Sequence, residues 1–188
     1  MHPHPFHPLT DAEFTLLSRH LPGSDSTPSR GRPPADRRRT LNAIFWVACS
    51  SGPWKDLPAE YGRADTAHRQ LRRWAKSGHM DLLRSLVANR DPRQDHILNA
   101  LAWRICRAWR RISRIVGLGS LLLAKRLALR PALPADLRYL PDPVLSETVQ
   151  SLVRRALNRV HAQPRGLFAT LGRLIAQAGG NRRRWRLR

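Results

Sequence analysis

Cysteine is nearly absent. Cys49 and Cys106 are the only two, too few for a disulfide framework or a zinc site with several thiolate ligands. Long apolar runs are absent as well. The longest candidate, residues 115–123, is interrupted by Gly117, Gly119 and Ser120 and then meets Lys125 and Arg126. A membrane-spanning helix needs roughly 18 uninterrupted residues. Residues 1–8 alternate His and Pro and lack the basic and apolar stretches of a secretory signal. Acidic side chains are scarce: 13 Asp and Glu face 34 Lys and Arg, for a net charge of +21. Lysine is scarce too, with 31 of the 34 cations being arginine.

The charge points to an acidic partner. Nucleic acid comes first and an anionic membrane surface second. Arginine forks onto phosphate, so its excess suits phosphate binding. A coding bias would explain the Arg/Lys ratio equally well, but not the net charge. The charge is also uneven. Residues 1–95 carry 15 basic and 10 acidic side chains, and residues 96–188 carry 19 and 3.

The periodicity is helical throughout, and the expected fold is all-α. Residues 1–8 read as a flexible arm. Thr10 and Glu13 form a capping-box pattern before an apolar stripe of Phe14, Leu17 and Leu21. Residues 22–35 are a Pro/Ser/Gly-rich linker carrying Arg30 and Arg32. Asp36 can cap a helix with Leu41, Ile44, Phe45 and Ala48 on its core side. A short helix near 57–62, a Gly-containing turn and a basic helix from 65 or 66 to 75 follow in helix-turn-helix order. This helix-turn-helix domain is placed at residues 9–90, with a basic amphipathic helical region and an Arg-rich tail at 96–188. In that region Ile97, Leu101, Ile105, Ile112 and Val116 form one stripe, and Arg104, Arg107, Arg110, Arg111 and Arg114 lie largely off it. Trp103 and Trp109 read as interfacial anchors rather than base-stacking platforms. Residues 144–161 form a further amphipathic helix, capped by Asp142.

Arg69, Arg72, Arg73 and Lys76 recur at spacings of three and four, so they share one helix face, with Thr66 and His68 near its start. Leu71, Trp74 and Ala75 fall on another sector. A DNA-reading helix has this division, one side packed and the other free to enter a groove. A solvated basic face has it too. Arg37, Arg38 and Arg39 at a helix start suit phosphate contact or a solvated first turn equally. No residue set marks a catalytic centre, a metal site or a cofactor. His2, His4, His7 and His20 lie in or near the arm, and the two cysteines read as buried small hydrophobes.

An ordered set of motifs runs through the first half. It comprises Leu9-Thr10-Asp11-Ala12-Glu13-Phe14, Arg30-Gly31-Arg32-Pro33, Arg39 with Leu41-Asn42-Ala43-Ile44, Trp54-Lys55-Asp56-Leu57-Pro58, Gly62, and Arg69 to Trp74 with Gly78. Over about residues 8–88 this set resembles the N-terminal domain of bacterial insertion-sequence transposases of the DDE type. The resemblance implies a helical module that recognises the terminal inverted repeats of an insertion element. It places Arg30 and Arg32 in an arm along the backbone or minor groove. It places the Arg37–Arg39 cluster on phosphate and Thr66, His68, Arg69, Arg72, Arg73 and Lys76 on the duplex. This sequence departs from the family where Cys49-Ser50-Ser51-Gly52-Pro53 precedes Trp54, and where His68, Leu71 and Ala64 replace aromatic residues. The entry into the reading helix and its sequence preference are expected to differ accordingly.

The family's catalytic domain holds two metals with two Asp and a Glu. After residue 95 only Asp136, Asp142 and Glu147 are acidic, all within a dozen residues. A catalytic centre in this chain is therefore not expected, and a separately encoded catalytic subunit is an expected partner beside double-stranded DNA. Homo-oligomerisation is compatible with the sequence, as is a cytoplasmic, nucleoid-associated location. The competing reading makes the chain a basic amphipathic helical protein that binds an anionic membrane surface or a protein partner. A third gives residues 96–188 no selected role, against which the clean stripe at 144–160 argues.

Overall fold

The computed structural model describes residues 6–22, 36–91, 93, 95–113 and 115–185. Among these the regular structure is entirely helical, so the fold is all-α. The chain forms two compact units, residues 1–132 and 133–188.

The first unit begins with α1 (Asp11–His20). Its capping box is complete: the Thr10 hydroxyl accepts from the Glu13 amide and the Glu13 carboxylate accepts from the Thr10 amide. α2 (Arg37–Ser50) starts at Asp36, whose carboxylate accepts from the Arg39 amide at 3.1 Å. It is the most buried element of the early chain, with Leu41, Ala43, Ile44, Phe45, Val47 and Ala48 inside. Two 3-10 turns follow, Trp54–Asp56 and Ala59–Tyr61. The short helix expected at 57–62 is the second of these, a single turn. Then come α3 (Ala64–Lys76), α4 (His79–Asn89), α5 (His96–Ile112) and α6 (Leu118–Arg126).

The sequence reading separated residues 9–90 from 96–188, whereas the compact unit runs on to Ala132. α5 is the reason. It packs against both α2 and α4 and buries Leu101, Ile105, Ala108, Trp109 and Ile112. Its arginines supply what earlier helices lack. α2 has no basic residue in its own last turn, and its terminal carbonyls need donors. Arg111 donates to the Val47 carbonyl at 2.8 Å and to the Gly52 carbonyl. Arg107 donates to the Ala48 carbonyl at 3.4 Å and to the Ser51 hydroxyl. Two cations at the negative end of the α2 dipole are favourable in addition to the hydrogen bonds. Two of the arginines that fall off the apolar stripe are thus directed at backbone.

Trp109 corrects its reading as an interfacial anchor, being fully buried. Its indole Nε1 donates to Asp81 Oδ1 at 2.8 Å. Arg84, also fully buried, stacks over the Trp109 ring at 4.6 Å, pairs with Asp81 at 3.1 Å and donates to the Ser120 carbonyl at 2.6 Å. The Ser120 hydroxyl closes the set on Asp81. This buried knot joins α4, α5 and α6. Cys49 and Cys106 are buried and free, as read from the sequence. Residues 1–5 of the arm lie outside the described residues. The arm's far end is docked, with Phe6 edge-on to Tyr61 at 5.4 Å and the His7 carbonyl accepting from Arg104.

In the second unit α7 (Pro143–Leu157) and α8 (Leu167–Ala178) pack together. Asp142 caps α7, accepting from the Leu145 amide at 3.1 Å, as its place before the stripe suggested. Val149, Ala156, Leu171 and Ala178 are buried. The stripe expected to reach residue 161 leaves the helix at Leu157. A 3-10 turn then holds Val160, which is exposed. A four-residue turn, α9 (Arg182–Trp185), ends the described chain.

Candidate nucleic-acid interface

α3 is positioned from both ends. On entry, Gly62 has φ +88°, a left-handed conformation that suits glycine. A Cβ there would sit 3.4 Å from Arg39 Nε. That guanidinium donates to the Glu60 carbonyl at 2.7 Å and the Ala59 carbonyl at 2.9 Å, tying the turn before α3 to the first turn of α2. On exit, Ser77 and Gly78 (φ +80°) turn the chain directly into α4. The Ser77 hydroxyl bonds the Arg73 carbonyl at 3.0 Å and lies 2.7 Å from His79 Nδ1.

Between these ends α3 is two-sided. Ala67, Leu71 and Trp74 are buried. Thr66, Arg69, Arg72, Arg73 and Lys76 are exposed. Among the described residues none of the four cations forms an ion pair. A cationic face left unneutralised by its own protein keeps its full attraction for an anionic ligand. The helix start expected at residue 65 or 66 is moved to Ala64, with Arg63 at the cap position and no side-chain cap bond. Asp65 is in the first turn, where its charge favours the helix dipole.

His68 is partly buried at the edge of this face. Its ring lies 5.2 Å from the Trp54 ring at 47°. Burial first, and Arg72 second, hold the imidazole below its ordinary pKa of 6.5, with Asp65 opposing them. It therefore offers a neutral ring at pH 7 rather than a further cation.

The other residues read as contacts have different surroundings. Arg37 donates to the Ser18 and Leu21 carbonyls at the end of α1. Arg38 pairs with Asp11 and donates to the Leu9 carbonyl. Together with Arg39 they clamp neighbouring backbone, which is neither the solvated first turn nor the free phosphate ligand considered from sequence. Arg30 and Arg32 lie outside the described residues. Sequence reasoning did not place Trp54 against His68, although the Trp54-Lys55-Asp56-Leu57-Pro58 motif was read.

Among the described residues no three His, Cys, Asp or Glu side chains converge as a metal site would require. Nor is any described helix long and apolar enough to cross a membrane. Both thiols are pushed up by burial, that of Cys106 to about 11.

Comparison with known proteins falls on the same stretch. Residues 9–84 match the family described as "Putative transposase of IS4/5 family (DUF4096)". This part of the chain is similar to that transposase family. The match takes in α1 to α3 and most of α4, less than half of the chain. The chain is 35% identical over 85 residues to "Insertion element IS402 uncharacterized 16.2 kDa protein" of Burkholderia cepacia, covering 43% of this chain and 58% of that protein. It is 30% identical over 80 residues to "Uncharacterized protein y4sN" of Sinorhizobium fredii (strain NBRC 101917 / NGR234), covering 43% and 62%. The chain thus spans about three fifths of the curated relatives it matches. No solved structure matches it. The resemblance read over residues 8–88 and the transposase match over 9–84 coincide.

Proposed function

We propose that the transposase-related region binds duplex DNA at the ends of an insertion element, with α3 as the reading helix of a helix-turn-helix. The observation that carries this reading is the unpaired cationic face of Arg69, Arg72, Arg73 and Lys76, backed by the buried Leu71 and Trp74. Arginines on such a helix fork onto guanine O6 and N7 or grip phosphate. Thr66 and His68 add neutral donors and acceptors at the same face. Arg30 and Arg32 extend the contact along the backbone or minor groove, and Arg37 to Arg39 position the module. The chain binds without cutting. Its acids after residue 95 are Asp136, Asp142 and Glu147, and Asp142 is used as a helix cap. Strand transfer then falls to a separately encoded catalytic subunit, in a nucleoid-associated setting.

The test is fluorescence anisotropy on duplexes cut from the DNA flanking the gene, against a shuffled duplex of equal composition. If about five phosphates are neutralised, log K against log salt falls with a slope of roughly −4 to −5. Equal affinity for the flanking and shuffled duplexes rejects end recognition, and no salt-dependent binding rejects the DNA reading.

A second reading has its own support in the second unit. Val144 is 68% exposed and Leu157 56%, both on α7, which also carries Arg154 and Arg155. Exposed apolar side chains beside arginines suit an anionic membrane surface or a protein partner. Failure of the chain to co-sediment with phosphatidylglycerol vesicles removes the membrane version.

A further inference from the structure

α3 does not stand alone at its face. The 3-10 turn Trp54–Asp56 packs against it, and the Trp54 ring meets His68 there. His68 shares its edge of α3 with Arg72, four residues on, which is close enough to depress the imidazole's basicity. Lys55, the next residue after Trp54, is exposed and in no ion pair among the described residues. The acids nearby are Asp56, whose Oδ2 lies 3.6 Å from the Cβ position of Gly52, and Asp65 in the first turn of α3. The turn itself is fixed by the amides of Asp56 and Leu57, which donate to the Pro53 and Trp54 carbonyls at 3.2 and 3.3 Å.

From this juxtaposition we infer that the Trp54–Asp56 turn is a second DNA-contacting element, in which Lys55 takes a backbone phosphate on the Arg72 side of α3 and Trp54, packed on His68, is the residue that positions it. A lysine ammonium is a compact point charge with three donors, suited to a single phosphate and indifferent to base identity. Its position flanking a reading helix would fix the register of that helix on the backbone. The inference rests on the DNA-binding reading of α3.

The experiment uses the full chain with the flanking and the shuffled duplexes over a salt series. Lys55→Ala is expected to weaken flanking and shuffled duplexes alike, by roughly threefold to tenfold, and to flatten the salt slope by about 0.9. Lys55→Arg keeps both. Trp54→Ala reproduces the loss, and adding Lys55→Ala to it costs nothing further. Trp54→Phe, which keeps a ring on His68, restores binding. An unchanged slope in Lys55→Ala, alongside a flattened one in Arg72→Ala, overturns the turn's role and leaves the α3 reading standing. No change in either variant removes both. A loss in Trp54→Ala that adds fully to that of Lys55→Ala overturns the positioning role. If Trp54→Ala does not fold, the exposed Lys55 variants decide.

Discussion

Arg104 on α5 reaches Glu13 on α1 and pairs with the same carboxylate that completes the α1 capping box. Their side chains are only 12% and 8% exposed. Glu13 thus caps one helix and holds another, 91 residues away. Removing one member of a buried pair strands the other charge, which costs about 3–5 kcal/mol. Arg104→Met is expected to lose that much in urea denaturation. The double variant with Glu13→Gln is expected to recover at least half of it, because no charge is then left buried and unpaired. A double variant no more stable than Arg104→Met would show that packing, not charge, dominates at this site.

The same relationship sets where the chain can be cut. A fragment ending at residue 132 retains α5, and with it the donors for the last α2 carbonyls and the Asp81–Arg84–Trp109 knot. A fragment ending at residue 95 loses all of these and uncovers the face of α2 that packs against α5. Residues 1–132 are expected to melt in one cooperative transition by circular dichroism and residues 1–95 to show none. A sharp transition in the shorter fragment would restore the boundary near residue 90.

That boundary shows what the sequence can and cannot carry. Caps are local: Thr10 with Glu13, Asp36 with Arg39 and Asp142 with Leu145 each lie three residues apart, and each was legible. The two sides of α3 were legible as well, since spacings of three and four fix a helix face whatever surrounds it. The partners of Arg104, Arg107 and Arg111 were not. Periodicity shows that these arginines leave the apolar stripe but not whether carbonyls or water await them. Those carbonyls lie 59 to 64 residues upstream in the case of Arg107 and Arg111. Trp109 was misplaced for the same reason, because Asp81, its acceptor, belongs to another helix.

Gly180 gives a test of the second unit. Its φ is +65°, and a Cβ there would lie 2.5 Å from the Tyr139 carbonyl oxygen and 2.8 Å from the Leu140 carbonyl carbon. Both obstacles are backbone, so neither can swing aside. The approach is held by the Asn181 amide on the Tyr139 carbonyl at 2.9 Å and the Asp142 amide on the Ala178 carbonyl at 2.8 Å. Gly180→Ala is expected to release the end of α8. Hydrogen exchange should quicken at Asp142, Gly180 and Asn181 and remain unchanged in α2 and α5. Unchanged protection at these amides would contradict the close approach.

His68 reports on the candidate interface through pH. Burial and Arg72 hold its folded-state pKa below the ordinary 6.5. Between the two values the unfolded chain binds more protons than the folded one, so stability rises with pH there and is lost as pH falls below 6.5. Arg72→Gln removes one of the two depressing influences, and the His68 midpoint is expected to move up towards 6.5 in an NMR titration. Duplex DNA is expected to move it the same way, since a phosphate arriving beside Arg72 favours the imidazolium. High salt should cancel the second shift as the complex dissociates. A His68 midpoint that ignores duplex at low salt, in a chain that nonetheless binds it, would place the contact elsewhere than the Arg72 edge of α3.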